Sequence, residues 1–196
     1  MLAVGAIAAL IVFVAFAAGQ VVDVHQPRAG AAMGEIVVGR SIGQTFTSHR
    51  PNLDRLDLLL ATYARTNPGQ LDVQLSPSNG SETAQNVTAA SSAIVDNAYQ
   101  SFTFAPIASS AGRTYVVRLS STRARVGQGV TAWAAPSNVY AEGTALVDGH
   151  PDPGRDLTFV TFGRLSAFDW LNELAQGISR DRGAVALAML LLLLPG

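Results

Sequence analysis

The sequence predicts a mainly β fold: an antiparallel β-sandwich of the jelly-roll kind, flanked by an N-terminal transmembrane helix and a C-terminal amphipathic helix that leads into a second membrane segment. Three observations predict it. Residues 1–22 carry no charge, residues 35–164 alternate apolar and polar side chains with a period of two, and residues 166–182 change to a helical period before an apolar run over 183–196.

The opening stretch "MLAVGAIAALIVFVAFAAG" would reach close to the roughly 30 Å of a bilayer core as a helix rising about 1.5 Å per residue. A cleaved signal peptide is the competing reading, because Ala15-Phe16-Ala17 resembles a small-residue cleavage site. The positive n-region that begins such peptides is missing. A retained membrane anchor is therefore the expectation.

Between the ends, "IGQTFTS" comes first among about eight strands. In "LDRLDLLLATY", Leu56, Leu58 and Leu60 share one face with Asp57 opposite; in "QLDVQL", Leu71, Val73 and Leu75 face inward with Asp72 and Gln74 outward. The polar, Ala-rich stretch 81–97 reads as a long loop with room for a short strand or turn. "YQSFTFAPI" places Phe102 and Phe104 together, and "TYVVRLS" aligns Tyr115, Val117 and Leu119 opposite Arg118. "VTAWA", "TALV" and "LTFVTF" follow, and turn signals fall between strands at "NPG", "SAG", "GQG" and "DGHPDPG". Short strands at this spacing, with no helices between them, favour a sandwich. Its expected core includes Leu56, Leu58, Leu60, Val73, Phe102, Phe104, Val117 and Leu119, with their polar neighbours exposed.

The period changes again in "SAFDWLNELAQGISRDR". Phe168, Leu171, Leu174, Ala175 and Ile178 fall on one helical face, and Ser166 with Asp169 makes a capping-box start. Such a stripe can pack on the sandwich or lie in the headgroup region with Trp170 as its anchor. Because the helix leads directly into the terminal apolar run, the interface is the expectation, carried by Phe168, Trp170, Leu171, Leu174 and Ile178. The run from Gly183 to Leu194 is too short to span alone, at about 1.5 Å per residue. The chain therefore reads as part of a longer polytopic protein.

Composition narrows the function. A net charge of −1 gives no basic field for nucleic acid, so that partner class is set aside. All 13 basic residues are Arg, which fits a coding bias. With no cysteine there is neither a disulfide framework nor a thiolate metal site. The mean hydropathy of +0.27 owes its excess to the two ends, leaving an ordinary globular middle.

Candidate chemistry is sparse. His25, His49 and His150 have no partners at metal-ligand spacing, and no nucleophile elbow, phosphate loop or zinc-protease motif occurs. Asp54 and Asp57 stand three apart on a strand, which puts them on opposite faces. Asp148, Asp152 and Asp156 in "DGHPDPGRD" could hold calcium through oxygen ligands, although any turn uses the same residues. Trp133, Asn138 and Tyr140 in "WAAPSNVY" pair aromatic faces with an amide loop, which suits sugar stacking; a strand Trp equally suits a core. Asn79 and Asn86 head N-x-S/T sequons.

The stretches "IGQTFTSHRPNLDRLDLLLATYARTNPGQLDVQL", "YQSFTFAPIASSAGRTYVVRLSS" and "VTAWAAPSNVYAEGTALVDG" resemble an extracytoplasmic β-sandwich of multi-spanning bacterial envelope proteins, some related to glycosyltransferases. The matching positions are strand hydrophobes and turn residues, so the resemblance implies fold and membrane context and carries no catalytic residue. The expectation is a non-enzymatic module without cofactor, anchored in the cytoplasmic membrane with the sandwich on the extracytoplasmic side. Its partners would be membrane lipid and other subunits of a membrane complex. The alternative is a carbohydrate-recognition module of a glycan-handling membrane protein.

Overall fold

A computed structural model of the chain describes residues 19–80 and 85–165. Internal contacts divide the chain into Val21–Gly163 and a second unit of Met1–Gln20 with Arg164–Gly196, which lies almost wholly outside the described residues. The first unit is mainly β. Its strands are β1 (Gln20–Gln26), β2 (Ala31–Ala32), β3 (Ile42–Ser48), β4 (Leu53–Ala61), β5 (Gln70–Pro77), β6 (Gln85–Ala90), β7 (Ala98–Ile107), β8 (Arg113–Ser120), β9 (Thr131–Ala135), β10 (Ala145–Val147), β11 (His150–Asp152), β12 (Asp156–Leu157) and β13 (Phe159–Arg164). A single 3₁₀ turn, Ser91–Ala93, follows β6. Among the described residues no helix is long and apolar enough to cross a membrane.

Two antiparallel sheets result. One runs β1-β13-β4-β9-β12, with β2 added on β9 and β7 on β4; the other runs β11-β10-β3-β8-β5-β6. The chain passes repeatedly from one sheet to the other, as β3, β4 and β5 or β7, β8, β9 and β10 do in succession. β4 is the hub of the first sheet. β7 pairs with it from Leu53 to Leu60, while β13 pairs at Leu53–Leu58 and β9 at Leu60–Ala61.

The period of two explains what is buried. Leu56, Leu58 and Leu60 from the first sheet, and Phe46, Leu71, Val117 and Leu119 from the second, are at most 1% exposed and share one apolar cluster. Phe46 forms its aromatic centre, with ring centroids 5.9 Å from Tyr115 and 5.8 Å from Phe159. Burying both inner faces is what makes strands of this amphipathic pattern stable.

Several expectations change. Phe104 is only half-buried, packed at the margin of the core. The register between β4 and β7 shifts between Leu53 and Arg55, so that Leu53 opposes Ile107 while Arg55 opposes Thr103. Phe104 keeps to the face of Phe102, but it stands within the irregular stretch, where its burial is incomplete. Asp57 does face away from Leu56 and Leu58, yet it is 6% exposed. Arg55, two residues earlier on the same face, clamps its carboxylate with Nε at 2.7 Å and Nη2 at 2.5 Å, while the guanidinium lies 4.4 Å from the Phe162 ring centroid. The sheet unit also begins earlier than residue 35, because β1 and β2 precede it, and β1 overlaps the end of the expected span over 1–22. Residues 1–18 of that span, and all of 166–196, lie outside the described residues. The stretch 81–97, read as a long loop with room for a short strand or turn, holds β6 paired along β5 and the 3₁₀ turn.

Candidate interaction surface and the predicted site residues

Four loops meet at one end of the sheet unit and are tied together by hydrogen bonds. Glu35 is the first knot: its carboxylate takes the Gly127 N–H at 2.8 Å and pairs with the Arg65 guanidinium, which also donates to the Gly129 carbonyl at 3.1 Å. The Val38 N–H reaches the Ala124 carbonyl at 2.9 Å. Asp96 is the second knot, accepting from the N–H and hydroxyl of Thr62 and from the N–H groups of Tyr63 and Ala64. Tyr63 and Ala64 both have positive φ, a conformation that turns successive N–H groups toward one anion. The Gly127 N–H holds the Glu35 carboxyl below its ordinary range, and the Thr62 N–H does the same for Asp96. On this polar frame stand exposed apolar side chains: Val126 at 84%, Val95 at 64%, Val38 at 58% and Tyr63 at 44%.

The far end of the unit is where the chain comes in and goes out. Gly163 opposes Leu53 at the start of β4, whereas the four loops cluster beyond its end at Ala61. β1 lies beside β13, with the Val24 N–H on the Thr161 hydroxyl at 3.0 Å.

A second feature is a cleft of about 270 Å³ between the β1–β2 turn and the loop after β9, lined by His25, Gln26, Arg28, Asn138 and Tyr140. Asp156, fully buried on β12, builds one wall. Its Oδ2 accepts from the N–H groups of Val139 at 2.7 Å and Tyr140 at 2.9 Å, and its Oδ1 accepts from Gln44 Nε2 at 3.1 Å. Gln44 in turn accepts from the Leu157 N–H at 2.8 Å. Gln26 builds the other wall, donating to the Leu157 carbonyl at 2.8 Å and accepting from the Arg28 N–H at 2.7 Å. Tyr140 packs edge-on against Phe159 at 5.5 Å and accepts from the Thr47 N–H at 3.2 Å; burial pushes its phenol up. Nearby, Asp23 accepts from the Ser48 hydroxyl at 2.8 Å and from the His49 N–H at 3.1 Å, and its own burial raises it. His49 meets Glu142 directly at 2.9 Å, both side chains half exposed.

The predicted sugar residues are thus divided. Asn138 and Tyr140 line the cleft, whereas Trp133 stands elsewhere on β9, between the buried Ala132 and Ala134, and donates its indole N–H to Asn97 at 2.8 Å. It latches the turn before β7. The three aspartates expected to gather round calcium are each occupied separately: Asp148 by the Ser41 N–H at 2.7 Å, Asp152 by the Arg155 guanidinium and Asp156 by the network above. Among the described residues no group of three His, Cys, Asp or Glu could hold a metal ion. The Asp-Gly-Pro run is turn chemistry, as Asp148 with its positive φ illustrates. The expected membrane-interface residues Phe168, Trp170, Leu171, Leu174 and Ile178 lie outside the described residues.

The wall-building glutamines were missed. One signal was in plain view: Gln44 takes the inward position between Ile42 and Phe46, and an amide there needs buried partners. Comparison with known proteins adds no identity, since no family model and no curated protein matches this chain.

Proposed function

We propose that the protein is a non-enzymatic, membrane-anchored module whose jelly-roll-like sandwich, on the extracytoplasmic side of the cytoplasmic membrane, docks on other subunits of a membrane assembly. The observation that supports this reading most is the polarity of the sheet unit. The chain comes and goes at one end, and the loops bearing Val38, Tyr63, Val95 and Val126 stand at the other. Exposed apolar side chains on a hydrogen-bonded frame suit a protein partner, because little ordering entropy is lost when a rigid surface binds. The repeated passage of the chain between sheets favours the jelly-roll description. The uncharged run at the N-terminus and the apolar run at the C-terminus supply the anchors.

Site-specific photo-crosslinking on the full chain in its host membrane tests this. A photoreactive residue at Val126 or Val95 should give discrete crosslinked species, while one at Thr103 on β7, away from the loops, should not. Equal, diffuse crosslinking at all three positions would defeat the reading.

Carbohydrate recognition is the second reading. Its expected aromatic pair is divided between two places, so support for it comes instead from the outer face of the six-stranded sheet, where a hydroxyl- and amide-lined hollow lies.

A further inference from the structure

The outer face of the six-stranded sheet is built from the residues that alternate with its core set. Cross-strand register lines up Leu146, Gly43, Arg118, Gln74 and Asn86 in one row, with Thr45, Val116 and Ser76 in the next. Gly43 is required by its surroundings, for a Cβ there would come within 2.6 Å of the Val117 carbonyl oxygen. The missing side chain leaves a hollow in the middle of the row. It measures about 330 Å³, with Ser41, Gln74, Ser76, Arg118 and Leu146 around it.

Arg118 is the unusual member. It is exposed at mid-strand, and among the described residues its side chain makes no hydrogen bond or ion pair. Its cross-strand neighbours are Gly43 and Gln74, neither of which is acidic. Among the described residues, the acids that border this face are already engaged: Asp72, one pair removed, accepts from the Thr88 hydroxyl at 2.9 Å, and Asp148, beside the lining Gly149, accepts from the Ser41 N–H at 2.7 Å. Gln74 is held toward the adjoining strand by its amide donation to Asn86 at 3.2 Å. The result is an unengaged fork of cationic donors beside a hollow lined by hydroxyls, an amide and an aliphatic wall.

We propose that this hollow binds a short acidic saccharide, with the sugar carboxylate on the Arg118 guanidinium. A planar guanidinium matches a carboxylate with two parallel hydrogen bonds. Ser41, Ser76 and Gln74 match ring hydroxyls, and Leu146 offers an apolar surface to the C–H face of a ring. The volume lies at the low end of small-molecule sites, which are about 300–1,000 Å³, and admits a short saccharide. The inference rests on the carbohydrate reading and names its ligand class.

The test is titration calorimetry on the full chain in detergent with trigalacturonate, maltotriose and inorganic phosphate, each against the parent, Arg118→Gln, Arg118→Lys and Arg28→Gln. Trigalacturonate should bind the parent and lose at least about tenfold in Arg118→Gln, less in Arg118→Lys, and nothing in Arg28→Gln. Because Arg118 is exposed, its variants should keep the parent's circular dichroism. Unchanged affinity in Arg118→Gln, a loss in Arg28→Gln instead, or phosphate binding as tightly as trigalacturonate would each overturn the proposal. Maltotriose binding as well as trigalacturonate would overturn the acidic ligand and leave the carbohydrate reading standing. Absence of all saccharide binding would end both.

Discussion

Phe102 and Phe104 sit two residues apart on β7 and meet different fates. Phe102 is 2% exposed opposite Leu56, while Phe104 falls where β4 and β7 lose register. Truncating Phe102 to Ala should therefore cost about 3–5 kcal/mol, as full burial of a large aromatic implies, and truncating Phe104 about half of that. Chemical denaturation of the two variants checks this, and equal losses would mean that both rings reach the core. At this scale the sequence shows which face a residue takes and misses local irregularity, because a bulge leaves no mark in an apolar-polar alternation. Asp57 teaches a related lesson. Its outward position was legible from its neighbours, yet its burial depends on Arg55 and Phe162, and only the folded sheet brings Phe162 from β13 onto β4.

Among elements, the strands with clean alternation were all legible: β3, β4, β5, β7, β8, β9, β10 and β13 fall where the period of two places them. β1 was hidden because its valines continue the preceding apolar run, and β2 and β12 are two residues each, too short to show any period. β6 was legible only as room for a short strand within 81–97, since Gln-Asn-Val-Thr-Ala-Ala lacks the large hydrophobes that would mark its bounds. The loops were legible as turns, but their mutual knots were not. Those knots have a pH signature. Glu35 and Asp96 are held below their ordinary range by backbone N–H groups, so each contributes stability that is present above the usual carboxylate pKa of about 4 and is lost as pH falls through its lowered value. Asp23 works in the opposite sense, since burial raises it and its ionised form weighs against the fold until it is protonated. A global melting curve would mix these effects, whereas hydrogen exchange read locally separates them. Protection at the amides of Thr62, Tyr63, Ala64 and Gly127, corrected for intrinsic rates, should fall on acidification before that of Val117 on β8 does. Loss of protection at all of these amides together would contradict the assigned role of the two carboxylates.

For the molecule as a whole, the polarity of the sheet unit follows from pairings far apart in sequence. β13 closes against β4 more than a hundred residues after it, and the Leu165 N–H meets the Gly19 carbonyl at 3.3 Å, so the first and last described residues are neighbours. No local pattern encodes that closure; it follows from which inner faces must be buried together. What matters most for the proposed role is that the sheet unit of a membrane-anchored chain stands on the extracytoplasmic side. The chain has no cysteine, so a single introduced thiol reports its own surroundings alone. Thr103→Cys is the position of choice, being exposed on β7 and away from the docking loops. In spheroplasts expressing the full chain, a membrane-impermeant maleimide should label it without lysis. Labelling that requires permeabilised membranes would contradict the account.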